Sequence, residues 1–239
     1  MQARESTALK EHRKAFKEFI DTWDLQYKRQ ISSIKLFSAV SDCALTQKQK
    51  VYFVKVFYHI RGHFHDFLWH MGNHAPNGPA KKIILENISE EFGGDRYSHE
   101  QLYYNFSKSL GVDIKQEIVS ESAYDEFVIN FNKGHLEWLI KNDWISNLAA
   151  FSAYEHLDNI DYPVLSSLAR RIGTPDHALL FFTVHEKVKH FDSLLEVLLD
   201  AWVLSSEKVI QGFEFISRHQ LAMWNGLSNK IFAHGCQQE

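Results

Sequence analysis

Apolar residues recur at three- and four-residue steps along almost the whole chain, a period that favours packed α-helices over strands. Segments near 6–23, 25–41, 47–71, 79–92, 100–110, 122–141, 143–157, 162–172, 175–204 and 205–233 show it. Start signals precede several of them: Thr46 before Gln47, Asn77 before Pro79, Ser98 before His99, and Thr174 before Pro175 at a first helical position. Stops follow at Gly72-Asn73, Gly93-Gly94, Gly111 and Gly173. Short connections between long helices predict antiparallel neighbours and an all-α bundle. Only 11 Gly and 4 Pro among 239 residues weigh against a β-sandwich, an α/β fold or a disordered chain. Hydrophobic content of 45% supplies a sizeable core, and the length fits one domain over 1–239 with 1–44 packing on it as N-terminal helices.

The charge balance narrows the partners. A formal charge of −4 leaves no basic footprint for nucleic acid. No stretch reaches the roughly 20 apolar residues that span a bilayer, and the charged start, Met1 to Lys14, has no apolar signal-peptide segment. Cys43 and Cys236 are far apart and form no CxxC pair, which predicts a reducing, cytoplasmic setting without disulfides or structural zinc. No GxSxG, P-loop or GxGxxG is present, so acyl-transfer and nucleotide chemistry lose their usual motifs.

One helix carries polar residues where a plain core would put Leu or Val. Read as continuous from Pro175 to Trp202, it aligns Phe181, Val184, Val188, Phe191 and Leu195 on one face, with His185, Lys189 and Asp192 among them. Burying an imidazole, an ammonium and a carboxylate within two turns costs several kcal/mol unless they pair or bind something. Two other segments direct carboxylates inward. Beside Ile84, Leu85, Ile88 and Phe92 the register turns Glu91 towards the core and Glu86 and Glu90 away, and His99 follows the Gly93-Gly94 break. With Leu148, Phe151 and Ser152 it turns Glu155 inward too.

Two chemistries suit that set. Glu91, His99, Glu155, His185 and Asp192 carry the donors that hold iron or manganese inside helical bundles. The alternative is an internal salt-bridge network in which Lys189 pairs with Glu155 and Asp192; a charged ammonium also opposes a full two-metal site. A further series, His59, His63, His70 and His74, follows a helical stripe. It lacks HExxH and a carboxylate in register, and reads as a partly exposed histidine-rich face rather than a zinc site.

The stretch LTQKQKVYFVKVFYHIRGHFHDFLWHMGNHAP, then ILENISEEFGG and His99, resembles the haem-oxygenase-like iron-dependent oxidases, the CADD-like branch in particular. YEHL around Glu155, the helix FFTVHEKVKHFD and the closing GFEFISRHQLAMWNGL keep that family's order over about Leu45 to Leu227. The resemblance implies a compact bundle of about seven core helices, often a homodimer, that uses iron and dioxygen on a small organic substrate. It implies that Glu91, His99 and His185 hold one metal and that Glu155 matches a ligand of the other. The family's His-x-x-x-Asp-x-x-His pattern here reads His185, Lys189 and Asp192, which predicts a single Fe(II). In that reading the ammonium of Lys189 stands in for the second ion between Glu155 and Asp192, and these three residues form the catalytic surroundings. The same fold also hosts TenA-type thiaminases, whose core cysteine is missing from 144–157, and cofactorless PqqC-type oxidases. A cofactorless oxidase and a non-catalytic binding protein with a salt-bridged core are therefore the competing expectations.

Overall fold

A computed structural model describes residues 6–38, 44–94, 97–187 and 190–233, and all its regular elements are helical. They run α1 (Thr7–Ser33), α2 (Lys35–Ser38), α3 (Gln47–Gly62), α4 (Phe64–His74), α5 (Gly78–Glu91) and α6 (His99–Ser109). Then follow α7 (Ile114–Ser120), α8 (Glu126–Lys141), α9 (Trp144–Arg171), a 3₁₀ turn at Asp176–Ala178, α10 (Leu180–Lys187) and α11 (His190–Phe232). The expected caps form: Thr46 and Ser98 make capping boxes with Gln49 and Gln101, and Asn77 accepts from the Ala80 amide. Cys43 and Cys236 lie outside the described residues. No helix among the described residues is long and apolar enough to cross a membrane.

α9 forms the axis. Every residue from Ser146 to Glu155 is buried, the mark of a helix enclosed on all sides. Sequence periodicity splits it into 143–157 and 162–172, yet it continues through Pro163 to Arg171. Pro163 removes one amide from the ladder, but the packed neighbours hold the helix through that gap. α11 lies against α9 at close range. A Cβ on Gly212 would stand 2.8 Å from both the Ala149 Cβ and the Ser146 carbonyl, so only glycine fits there. α11 changes direction at Ser205 (φ −162°, ψ 89°), where the sequence pattern had placed a boundary.

α1 packs on this core through Phe16, Trp23, Tyr27 and Ile31. Trp23 donates to the Phe213 carbonyl, and Tyr27 bonds the buried Asp161 carboxylate, which also accepts from Gln220 and Trp224. One polar node thus ties α1, α9 and α11 together. Burial raises the Asp161 carboxyl to about 7, against its three donors.

Candidate metal centre

Two helix ends and one short helix bring the site together. Glu91 is the last residue of α5; Phe92 caps it, and Gly93 (φ 97°) and Gly94 (φ 41°) take left-handed conformations that end the helix. His99 opens α6 directly after its Ser98 cap. α10 supplies His185 from beside α9 and α6. One ligand atom from each of Glu91, His99 and His185 lies within 4.8 Å of the others, the spacing a single ion needs.

His185 is 8% exposed, and its orientation is fixed twice. Its Nδ1–H donates to the Phe181 carbonyl at 2.6 Å, and its ring stacks on Tyr162 at 4.2 Å with 6° between planes. That bond leaves Nε2 with its lone pair, the form a metal ligand requires. Burial, with His99 and Arg61 nearby, pushes the His185 pKa well below its ordinary value and keeps the ring neutral. Its centroid lies 4.4 Å from that of His99.

His99 Nδ1 is 2.9 Å from Glu91 Oε2. The contact is close but poorly aligned, for Nδ1 is a buried nitrogen without a hydrogen-bond partner among the described residues. A buried ring nitrogen facing a carboxylate and a second imidazole, with no bond of its own, suits a cation placed between the three. Burial raises the Glu91 carboxyl, but contacts with His65 and His99 outweigh it and hold Glu91 well below the usual carboxylate range. It is therefore ionised, as a ligand must be.

Around this set lies a second layer of charge. Arg61 grips Asp158 with both nitrogens, at 3.2 and 2.9 Å, and also bonds the Tyr154 hydroxyl. Glu155 is buried, and burial followed by the nearby Asp158 and Glu91 charges pushes its pKa well above the ordinary carboxylate value. Glu155, Asp158, Asn159 and His190 share a cavity of about 20 Å³ with the three candidate ligands. A second pocket, about 130 Å³, meets the same ligands from the α3–α4 side, where Tyr58, Arg61, Gly62 and His65 line it.

The structure places Glu91, Glu155 and His185 inward, as their register predicts, and brings His99, which follows the Gly93-Gly94 break, beside Glu91 and His185. Asp192 is a correction: it is exposed on the first turn of α11. The reading assumed one helix over 175–202, but α10 ends at Lys187 and α11 begins at His190, so the register of His185 does not carry to Asp192. The proposed bridge from Lys189 to Glu155 and Asp192 loses its inward Asp192 leg, and Val188 and Lys189 lie outside the described residues. The histidine stripe divides as well. His59 is buried against Glu117 at 3.0 Å, while His70 and His74 stack at the surface. Sequence reasoning missed His65, 3.6 Å from Glu91 Oε2, and the Arg61–Asp158 pair. Asp158 was within reach, because it follows Glu155 by three residues on one face of α9.

Comparisons with known proteins bear on the family and the fold. The profile of a haem-oxygenase-like family described as iron-containing redox enzymes matches residues 51–214. A domain of unknown function with a heme oxygenase-like fold from Shewanella denitrificans superimposes with a TM-score of 0.72 at 14% identity, covering 92% of each chain. A CADD-like protein of unknown function from Nostoc punctiforme gives 0.68 at 16% identity, over 90% of this chain and 96% of its own. No curated protein matches the sequence significantly.

Proposed function

The chain belongs to the haem-oxygenase-like family of iron-containing redox enzymes, and on that premise we propose that it is a non-haem oxidoreductase that uses one Fe(II) and dioxygen on a small organic substrate. The observation that carries this reading is the convergence of Glu91, His99 and His185 within 4.8 Å, with His99 Nδ1 buried and unbonded. Two imidazoles and one carboxylate are the facial set that leaves an Fe(II) ion open to oxygen and substrate. Glu91 brings the negative charge. His185 presents Nε2 because its other nitrogen is committed to Phe181. Glu155 lies buried in the cavity beside the ligands, where burial favours its protonated form, placed to act as a hydrogen-bond donor or an acid. Arg61, bound to Asp158, fixes a positive charge in the layer behind them.

A single ion is favoured by the ligand inventory. Among the described residues only one group of three converges, and Asp192 faces outward. Of the two α9 acids behind the ligands, Asp158 already holds a guanidinium and Glu155 lies outside the converging group of three.

Anaerobic Fe(II) titration with metal analysis tests the proposal. The expected result is one ion per chain, lost in both His99→Ala and His185→Ala while the helical circular dichroism persists. Two ions per chain would sink the single-ion reading. No binding, with oxygen consumption that survives a chelator, would hand the site to the cofactorless alternative.

A further inference from the structure

The candidate ligands stand between two cavities of very different size. Both are lined by Phe64, Glu91, His99 and His185. The one on the α9–α11 side measures about 20 Å³ and is walled by Glu155, Asp158, Asn159 and His190. A water molecule needs roughly 10–15 Å³ of such space, so this cavity takes one water or one diatomic molecule and nothing larger. The one on the α3–α4 side measures about 130 Å³; aromatic rings of Tyr58, Phe64, Phe92 and Phe181 line it, together with the polar groups of Arg61, His65 and Glu100. Phe92 is 54% exposed and stacks on His65, which places an aromatic mouth where this pocket meets solvent.

The geometry points to a division of the site between its two substrates: the small inner cavity receives the diatomic gas, and the outer pocket receives a compact aromatic molecule that carries a polar group. The ligand set is the shared wall, so both would reach the same ion from different sides. Glu155 is the polar group that the inner cavity offers to its occupant. This assignment rests on the single-iron reading above, which metal analysis tests separately.

Gly62 gives a clean means of separating the two spaces. It lines only the outer pocket of the two, and a Cβ added to it meets no atom within 4 Å. Gly62→Phe therefore adds a ring at the wall of the pocket without displacing backbone. On the other side, Asn159→Phe places a ring in the inner cavity, and His190→Trp does the same from α11.

The experiment uses the full chain with two probes. Nitric oxide, added anaerobically to the Fe(II)-loaded protein, reports the inner cavity through the quartet-spin signal of its iron adduct. Para-fluorophenol, followed by fluorine NMR with and without Fe(II), reports the outer pocket. Gly62→Phe should weaken para-fluorophenol binding by about tenfold or more, about 1.4 kcal/mol, and leave the nitric oxide signal unchanged. Asn159→Phe or His190→Trp, whichever keeps the native circular dichroism and its iron, should do the reverse. Loss of both probes in Gly62→Phe, or an unchanged nitric oxide signal in both inner-cavity variants, would overturn the division. A wild-type chain that binds para-fluorophenol but no iron would sink the iron reading and leave the outer pocket standing.

Discussion

Two inward-facing glutamates, each beside histidine, have opposite surroundings: Glu117 is buried and Glu91 half-buried. Glu117 on α7 is fully enclosed and fully answered. It accepts from the Ala123 amide at 2.7 Å and from Ser122, meets His59 at 3.0 Å, and lies 3.0 Å from Lys55. Glu91 has imidazoles on two sides, borders both cavities, and faces a His99 nitrogen that bonds to nothing described. A carboxylate with every lone pair met is a structural joint: it locks α3 to the α7–α8 connection. One whose neighbouring ring nitrogens converge with it on a single point is arranged as part of a ligand set. What separates the two is whether their partners are satisfied, since acids and imidazoles meet in both.

The largest expected effect follows directly. Glu117→Ala strands the buried His59 and Ala123 amide and takes the ion partner from the partly exposed Lys55, and removing one member of such a buried pair costs ~3–5 kcal/mol. Glu91→Ala opens onto a pocket that water can enter, and should cost about 1 kcal/mol or less while abolishing iron binding. Urea unfolding followed by circular dichroism, beside an Fe(II) titration, reads both. Equal losses of stability in the two variants would erase the distinction.

How far this contrast could be read in the sequence depends on the length of the helix that carries each residue. Glu91 and Glu155 lie on helices long enough for a 3.6-residue period to fix which face looks inward, and His185, on the eight-residue α10, is placed by the longer pattern over 175–202. Glu117 lies on a seven-residue helix, Ile114–Ser120, too short to show a period, so neither the helix nor its acid was expected. Asp192 failed for a related reason: its face was extrapolated across the interval between α10 and α11. Arg61 reads as an ordinary helical cation. Only the tertiary approach of α9 shows that it is buried, bound to Asp158 and set over the Tyr154 and Tyr162 rings. Local pattern thus carried the bundle and one half of the site. The charged layer behind it depends on contacts between residues about a hundred positions apart.

Asp161 sharpens the comparison, because it has three donors and still behaves unlike Glu117. Its partners Tyr27, Gln220 and Trp224 are neutral, and burial wins, raising its carboxyl from 3.8 to about 7. Between those values the folded protein holds a proton that the unfolded chain releases. Stability from this group therefore falls as pH rises from 3.8 towards 7, by on the order of 4 kcal/mol in total. Asp161→Asn should flatten that limb of a stability–pH curve measured by urea unfolding. A curve of unchanged slope would mean that the three donors stabilise the charge after all.

Glu117 predicts the opposite limb, somewhat smaller. Burial raises its carboxyl, but Ser122, His59, the Ala123 amide and Lys55 together lower it from 4.5 to about 2. Its contribution is complete above 4.5 and disappears as pH falls through 2, on the order of 3 kcal/mol. Acid unfolding of Lys55→Met, which removes the cation and keeps the stem, should begin at higher pH than in the parent chain. Coincident acid transitions would show that the hydroxyl, the amide and the imidazole suffice without it.

The smallest expected effect lies on the ring that steadies His185. Tyr162 is 1% exposed, its face is parallel to the imidazole, and its hydroxyl has no hydrogen-bond partner among the described residues. A buried, unmatched hydroxyl contributes nothing and costs its desolvation, roughly 1–3 kcal/mol where nothing compensates. Tyr162→Phe keeps the stacked face and deletes the orphan, so stability should hold or rise by about 1 kcal/mol, with iron affinity unchanged. Tyr162→Leu removes the flat surface and should weaken iron binding without unfolding the bundle, because His185 then keeps only its bond to Phe181. The pair of variants separates ring from hydroxyl. If Tyr162→Phe alone loosens iron, the hydroxyl is engaged at the site, and the layer around Glu91 is as fully bonded as the one around Glu117.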